Sequence, residues 1–129
     1  MKMELPKNLR YNEYVWVKVE GKKATLGMTD YGLQQIKEIV FIELPKVGQS
    51  VRKGEEFTVL ESVKWSGRIS SPISGKVIEV HEELFDDPST INRDPYGEGW
   101  ICRIELSDSN ELKELMDYGK ATKWVEENL

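Results

Sequence analysis

The chain has 129 residues, 39% of them hydrophobic and 32% charged, with a formal net charge of −5. That length and balance predict one globular domain with a modest core and exclude a disordered chain. Acidic and basic residues are interspersed, which argues against a nucleic-acid binder, because phosphate neutralisation needs a clustered cationic face. No apolar run is long enough to span a bilayer, so no membrane partner is expected. Cys102 is the single cysteine, which excludes an internal disulfide and a zinc cluster. Met1-Lys2-Met3-Glu4-Leu5-Pro6 lacks the apolar stretch and cleavage site of a secretory signal. A cytoplasmic monomer is expected.

The first strand is predicted at Tyr14-Val15-Trp16-Val17-Lys18-Val19. A turn at Glu20-Gly21-Lys22-Lys23 brings Ala24 to Met28 back as a hairpin. Thr29 or Asp30 caps a short helix through Leu33, Gln34 and Ile36, since a side-chain oxygen there accepts from free backbone N–H groups. Glu38 to Leu44 is a strongly apolar strand ended by Pro45. Gly48 and Gly54 flank a short strand as turn residues. Asp87-Pro88-Ser89-Thr90 reads as an N-cap followed by proline at the first helical position. Trp100, Cys102, Ile104 and Leu106 alternate onto one face of a late strand. Ser107 or Asp108 caps a helix carrying Leu112, Leu115 and Met116, which Gly119 ends, and a last helix covers Ala121 to Asn128. The fold class is α+β, mainly β, as a flattened barrel or sandwich.

Lys64 stands at the centre of a near-symmetric pattern. Gly54 lies ten residues before it and Gly75 eleven after it. The flanks Glu56-Phe57-Thr58-Val59-Leu60 and Gly75-Lys76-Val77-Ile78-Glu79-Val80 are both strand-like. A lysine at a hairpin tip is exposed and reachable by another enzyme, as covalent modification requires. On its own, a lysine in a polar turn is a solvated charge. The surrounding motifs change that reading.

Gly48-x-x-Val51-x-x-Gly54, Glu61-Ser62-Val63-Lys64 and Pro72-x-x-Gly75-x-Val77 resemble the biotinyl/lipoyl attachment domain. Biotin carriers usually have methionine beside the lysine; Val63 and Trp65 stand there here, which favours lipoic acid. Five further motifs extend the likeness over nearly the whole chain. They are Thr29-Asp30-Tyr31, Val40 to Gly48, Ser71 to Val77, Ile91-Asn92 and Asp94 to Trp100. Together they resemble the H protein of the glycine cleavage system.

The resemblance implies a barrel-sandwich hybrid over residues 1–129, its hairpin core at about 38–106 and a C-terminal helical segment at about 107–129. It implies a non-catalytic carrier with lipoyl-lysine at Lys64, which Glu61 marks for the lipoylation enzyme. The arm of such a carrier bears an aminomethyl group between a glycine decarboxylase, an aminomethyltransferase and a dihydrolipoyl dehydrogenase.

The departures from the family pattern concern the cleft that shelters the arm. The family commonly has His-Glu-Trp-Val in the first strand; this chain has Tyr14-Val15-Trp16-Val17. After the lysine the family commonly has alanine and, three residues on, aspartate; Trp65 and Arg68 replace them. Tyr14, Val15, Trp65 and Arg68 are therefore the arm-cleft or docking candidates. Like charges about 4 Å apart repel by roughly 1 kcal/mol in water and about 4 kcal/mol at an effective dielectric near 20. A cleft-facing Arg68 would then disfavour an ammonium cargo roughly ten- to a thousandfold and favour an anion. This keeps an alternative open: an H-protein-like lipoate-binding protein of sulfur oxidation, working with a heterodisulfide-reductase-like complex. Trp65 either packs onto the hairpin or anchors a partner.

His81, the one histidine, is expected at the surface, and Cys102 in the core as an inert thiol. Asp86-Asp87 reads as turn and cap chemistry. Gly97-Glu98-Gly99 lacks the third glycine and following helix of a nucleotide-binding loop.

Overall fold

The computed structural model describes residues 5–129; the first four, part of the N-terminal stretch read above for a signal, lie outside the described residues. Two sheets carry the fold. Arg10–Tyr11 (β1) pairs with Val15–Glu20 (β2), which turns back into Lys23–Met28 (β3). Asp30–Ile36 forms α1, and Ile39–Glu43 forms β4. Ser50–Val51 is β5, Glu56–Ser62 is β6, Ser66–Ser70 is β7 and Gly75–Val80 is β8. After a short 3-10 helix come α2 (Thr90–Arg93) and β9 (Cys102–Leu106), then a second 3-10 helix and α3 (Tyr118–Asn128). The larger sheet has six strands in the order β1-β2-β3-β9-β8-β5, and the smaller has three in the order β4-β6-β7.

One core lies between the sheets. Val15, Val17, Leu26, Ile42, Leu60, Ile69, Val77 and Ile104 contribute to it, and all are buried. A second cluster joins Leu9, Tyr11 and Trp16 to Ala121 and Val125 of α3, so the C-terminal helix closes the far side of the β1-β2 edge. Trp16 holds a further element there: its Nε1 donates to the Pro95 carbonyl at 2.8 Å. The Tyr96 hydroxyl accepts from the Asp30 amide at 3.0 Å. The Asp94–Trp100 motif is thus a clamp between the first hairpin and α1.

The predicted α1 is present, capped by Thr29, whose Oγ1 accepts from the Gly32 amide at 3.0 Å. The predicted helix at Pro88 begins two residues later, at Thr90, because Asp87 instead accepts from the Ser89 hydroxyl and from Arg93. The segment after Asp108 is a 3-10 helix over Ser109–Glu114, and Gly119 lies inside α3 instead of ending a helix. Asp117 is the reason: its Oδ1 accepts from the Lys120 amide at 2.9 Å and starts α3 one residue before Gly119. Trp100 leaves the face of Cys102 and Ile104 and packs on the second cluster. His81 corrects the expectation of a surface position. It is buried, its ring stacked on Trp100 at 4.3 Å with Nδ1 2.8 Å from the Trp100 carbonyl. The Arg103 guanidinium lies over the same indole at 3.9 Å, an arrangement the cation–π attraction favours.

The two glycines that frame Lys64 have different duties. Gly54 has φ +91, a turn conformation that side chains resist. Gly75 lets β8 approach β9: a Cβ there would sit 2.1 Å from the Glu105 carbonyl oxygen. Lys37, at the end of α1, has φ 76 and ψ −157, a region that is essentially reserved for glycine. Its amide donates to Leu33 at 2.7 Å and its carbonyl accepts from Asn92 Nδ2 at 2.9 Å, so both neighbours hold it there. Lys37→Gly keeps both bonds and should raise stability by about 1 kcal/mol after the added freedom of the unfolded chain is subtracted. Urea unfolding of the two proteins measures this, and an unchanged or lower midpoint would contradict it.

Candidate functional site

The β6-β7 hairpin presents Lys64. Its register pairs Val59 with Arg68, Leu60 with Gly67 and Glu61 with Ser66. The Ser62 amide then donates to the Trp65 carbonyl at 2.8 Å, which leaves Val63 and Lys64 as the two tip residues. Val63 is 83% exposed, and Lys64 is exposed and forms no ion pair among the described residues. Alternation turns Leu60 and Ile69 inward, the β-bulge between Glu56 and Thr58 lets Phe57 join them, and the hairpin is anchored in the core while its end stands in water.

Two of the recesses that border this hairpin hold the residues singled out from the sequence. The first, about 490 Å³, lies beside the lysine and is lined by Gln35, Ile36, Lys37 and Glu38 from the α1 side and by Ser62 to Trp65 from the tip. Ile36, Val63 and Trp65 give it apolar walls. The second, about 370 Å³, is lined by Asn12, Glu13, Tyr14 and Val15 and by Arg68, Ile69 and Ser70. The structure thus brings Tyr14, Val15 and Arg68 together and places Trp65 in the other recess with Lys64.

Each departure has a local physical explanation. Val15 is 0% exposed and belongs to the main core, so it backs the second recess as packing. Trp65 folds onto the hairpin: a Cβ at Gly67 would meet its Cζ2 at 2.4 Å, and the half-buried ring packs against the core. It is no free-standing anchor. The Arg68 side chain is 79% exposed and forms an ion pair with Glu56, its Nε 3.0 Å from Oε2. Its charge is screened by water and offset by a carboxylate, so the tenfold-to-thousandfold repulsion expected of a cleft-facing arginine does not apply. Tyr14 stacks on Tyr31 at 6.2 Å, and Tyr31 meets Trp124 edge-on at 4.7 Å.

Sequence reading missed Glu13, an acidic residue among those that line the second recess. The signal was available, since Glu13 immediately precedes the Tyr14-Val15 pair. It also missed Ile36, named only as a residue of the first helix, which lines the recess beside Lys64. Glu61 sits on β6 opposite Phe41 of β4, three residues before the lysine. Cys102 is buried, and burial pushes its thiol well above the usual range, which keeps it protonated and inert. No group of acidic, histidine or cysteine side chains suited to a metal exists among the described residues. Among the described residues, no helix is long and apolar enough to cross a membrane. Because the Arg68–Glu56 pair is exposed, Arg68→Gln should shift unfolding free energy by less than about 0.5 kcal/mol. A thermal unfolding comparison checks this; a larger loss would mean that the pair holds the hairpin.

A family model described as Glycine cleavage H-protein matches residues 8–128. The glycine cleavage system H protein of Anaeromyxobacter sp. (strain K) is 48% identical over 126 residues, covering 97% of this chain and 98% of that one. The mitochondrial glycine cleavage system H protein 2 of Arabidopsis thaliana is 48% identical over 122 residues, covering 94% of this chain and 78% of that one. A crystal structure of a glycine cleavage system H protein from Mycobacterium marinum superposes with a TM-score of 0.85 at 28% identity, covering 97% of this chain and 100% of that one. With its lysine-tipped hairpin and two-sheet architecture, the chain belongs to the glycine cleavage H-protein family.

Proposed function

We propose that this protein is the lipoyl carrier of a glycine cleavage system, with the arm joined as an amide to Nζ of Lys64. One observation carries the assignment: Lys64, without an ion pair among the described residues, stands at a two-residue tip on a hairpin anchored in the core. An ammonium held in a salt bridge would have to break it before acylation; this one does not. The recess beside Lys64 fits an arm of this kind, because Ile36, Val63 and Trp65 present apolar surface to a hydrocarbon chain. When attached to Lys64, the lipoyl group would supply a dithiolane whose S–S bond can open reductively, so that one sulfur holds an aminomethyl group and the other becomes a thiol. The chain itself contributes position and surroundings and no catalysis. A glycine decarboxylase, an aminomethyltransferase and a dihydrolipoyl dehydrogenase are the partners this reading requires, besides the lipoylation enzyme that Glu61 helps to dock. A monomer in the cytoplasm belongs to the same proposal.

The second recess suits a cationic cargo. Glu13 supplies a carboxylate and Tyr14 an aromatic face, both of which attract an ammonium group. Arg68 at its edge is paired with Glu56. The relatives found are glycine cleavage proteins, and nothing in them supports the sulfur-oxidation reading.

Co-expression with a lipoate-attaching enzyme should add one lipoyl mass to the intact protein and none to Lys64→Arg. Lipoylated protein should then support glycine-dependent carbon dioxide release by a glycine decarboxylase. An unmodified wild-type chain, or a modified chain without carbon dioxide release, sinks the assignment. Glu13→Gln should weaken retention of the aminomethyl-loaded arm about five- to tenfold. The rate of aminomethyl loss from the loaded protein measures this, and a rate equal to wild type removes Glu13 from the site.

A further inference from the structure

We propose that the outer face of the three-stranded sheet, centred on Phe41 and Glu61, is the docking surface for the enzyme that acylates Lys64. The proposal rests on the lipoyl-carrier reading and adds the surface and its chemistry. Phe41 is 50% exposed, on a strand that buries only Ile39 and Ile42. Val40 beside it is also 50% exposed and sits at a break in the β4-β6 register, where a bulge turns the strand outward. Phe41 pairs with Glu61 across β4-β6, and Glu61 pairs with Ser66 across β6-β7. These three side chains form one cross-strand row. Glu61–Ser66 is the last β6-β7 pair before the turn that carries Lys64.

Charge defines the partner's side of this face. Glu61, and Glu43 in the next row, form no ion pair among the described residues. Arg68, the cation of that next row, is already paired with Glu56. An exposed phenyl ring beside unpaired carboxylates fits a partner with an apolar socket and basic side chains around it. Reach selects which partner this is. An acylating enzyme must bring its reaction centre to Nζ of Lys64 itself, so it has to cover the tip and the row beneath it. Enzymes that act later meet the far end of a long arm and have no such need. Glu61 and Lys64 also share one strand and its turn, so a contact to the Phe41–Glu61 row sets the position of the amine.

Full-length apo-protein, lipoate, ATP and a purified lipoate–protein ligase test this by acylation kinetics. Phe41→Ser should raise KM for the carrier about tenfold with kcat nearly unchanged. Val40→Ser should act in the same direction more weakly. Ile78→Ser, which alters a half-exposed residue of β8 on the other sheet, should leave both constants unchanged. Thermal unfolding of each variant reports the fold, and Val40→Ser carries the test if Phe41→Ser unfolds. KM values equal to wild type in both folded variants overturn the docking surface and leave the carrier reading standing. A wild-type chain that the ligase does not acylate overturns the carrier reading and the surface together. If Phe41→Ser dissociates a dimer without changing KM, a second copy covers this face and the proposal fails.

Discussion

The register of β6 against β7 is the constraint on which this molecule depends. Leu60 and Ile69 are buried between the sheets, so Val59, Glu61 and Arg68 face outward and the turn falls on Val63 and Lys64. A slip of one residue would turn every one of these side chains to the opposite face. Burial of a few apolar groups thereby decides which amine stands in solvent. Thr58 reinforces the register from the other side, donating its hydroxyl to the Glu43 carbonyl at 2.8 Å beside a β-bulge.

The rest of the fold holds this hairpin against a stable frame. The approach of β8 to β9 at Gly75 ties the strand that follows the hairpin into the larger sheet. Ser74 is tied to Glu111 through both its amide, at 2.7 Å, and its hydroxyl, at 2.8 Å. Lys53 pairs with Glu114 nearby, so the 3-10 helix after β9 is fastened to the loops at the hairpin's base. α3 belongs to a different cluster, with Trp16 and Tyr11, and closes the edge of the larger sheet. Rigidity at the base and freedom at the tip are therefore properties of separate elements, as a carrier needs.

The residues that depart most from the family pattern show where single-sequence reasoning about charge goes wrong. Arg68 reads as a cation in a cleft when its partner is unknown; Glu56, twelve residues away, pairs with it because β6 and β7 run antiparallel. Trp65 reads equally as packing or as an anchor until Gly67, two residues on, offers its bare backbone as a bed for the indole. His81 reads as a surface residue until Trp100 stacks on it. In each instance the decisive neighbour is set by pairing or packing. Composition and local propensity carry no information about it.

The sequence by itself determined the lysine, its hairpin, most of the strands and the family, because these follow from alternation, turn glycines and ordered motifs that are local in the chain. Phe41 and Glu61 were both visible there, twenty positions apart, with nothing to connect them. Only the tertiary structure decided that they share a row beneath Lys64, that Glu13 and Tyr14 line one recess while Trp65 lines another, and that Val15 is core. The physical reason is that a side chain's neighbours across a sheet depend on register. Register is fixed by the burial of the whole apolar set at once, a property of the packed sheets that no single segment contains.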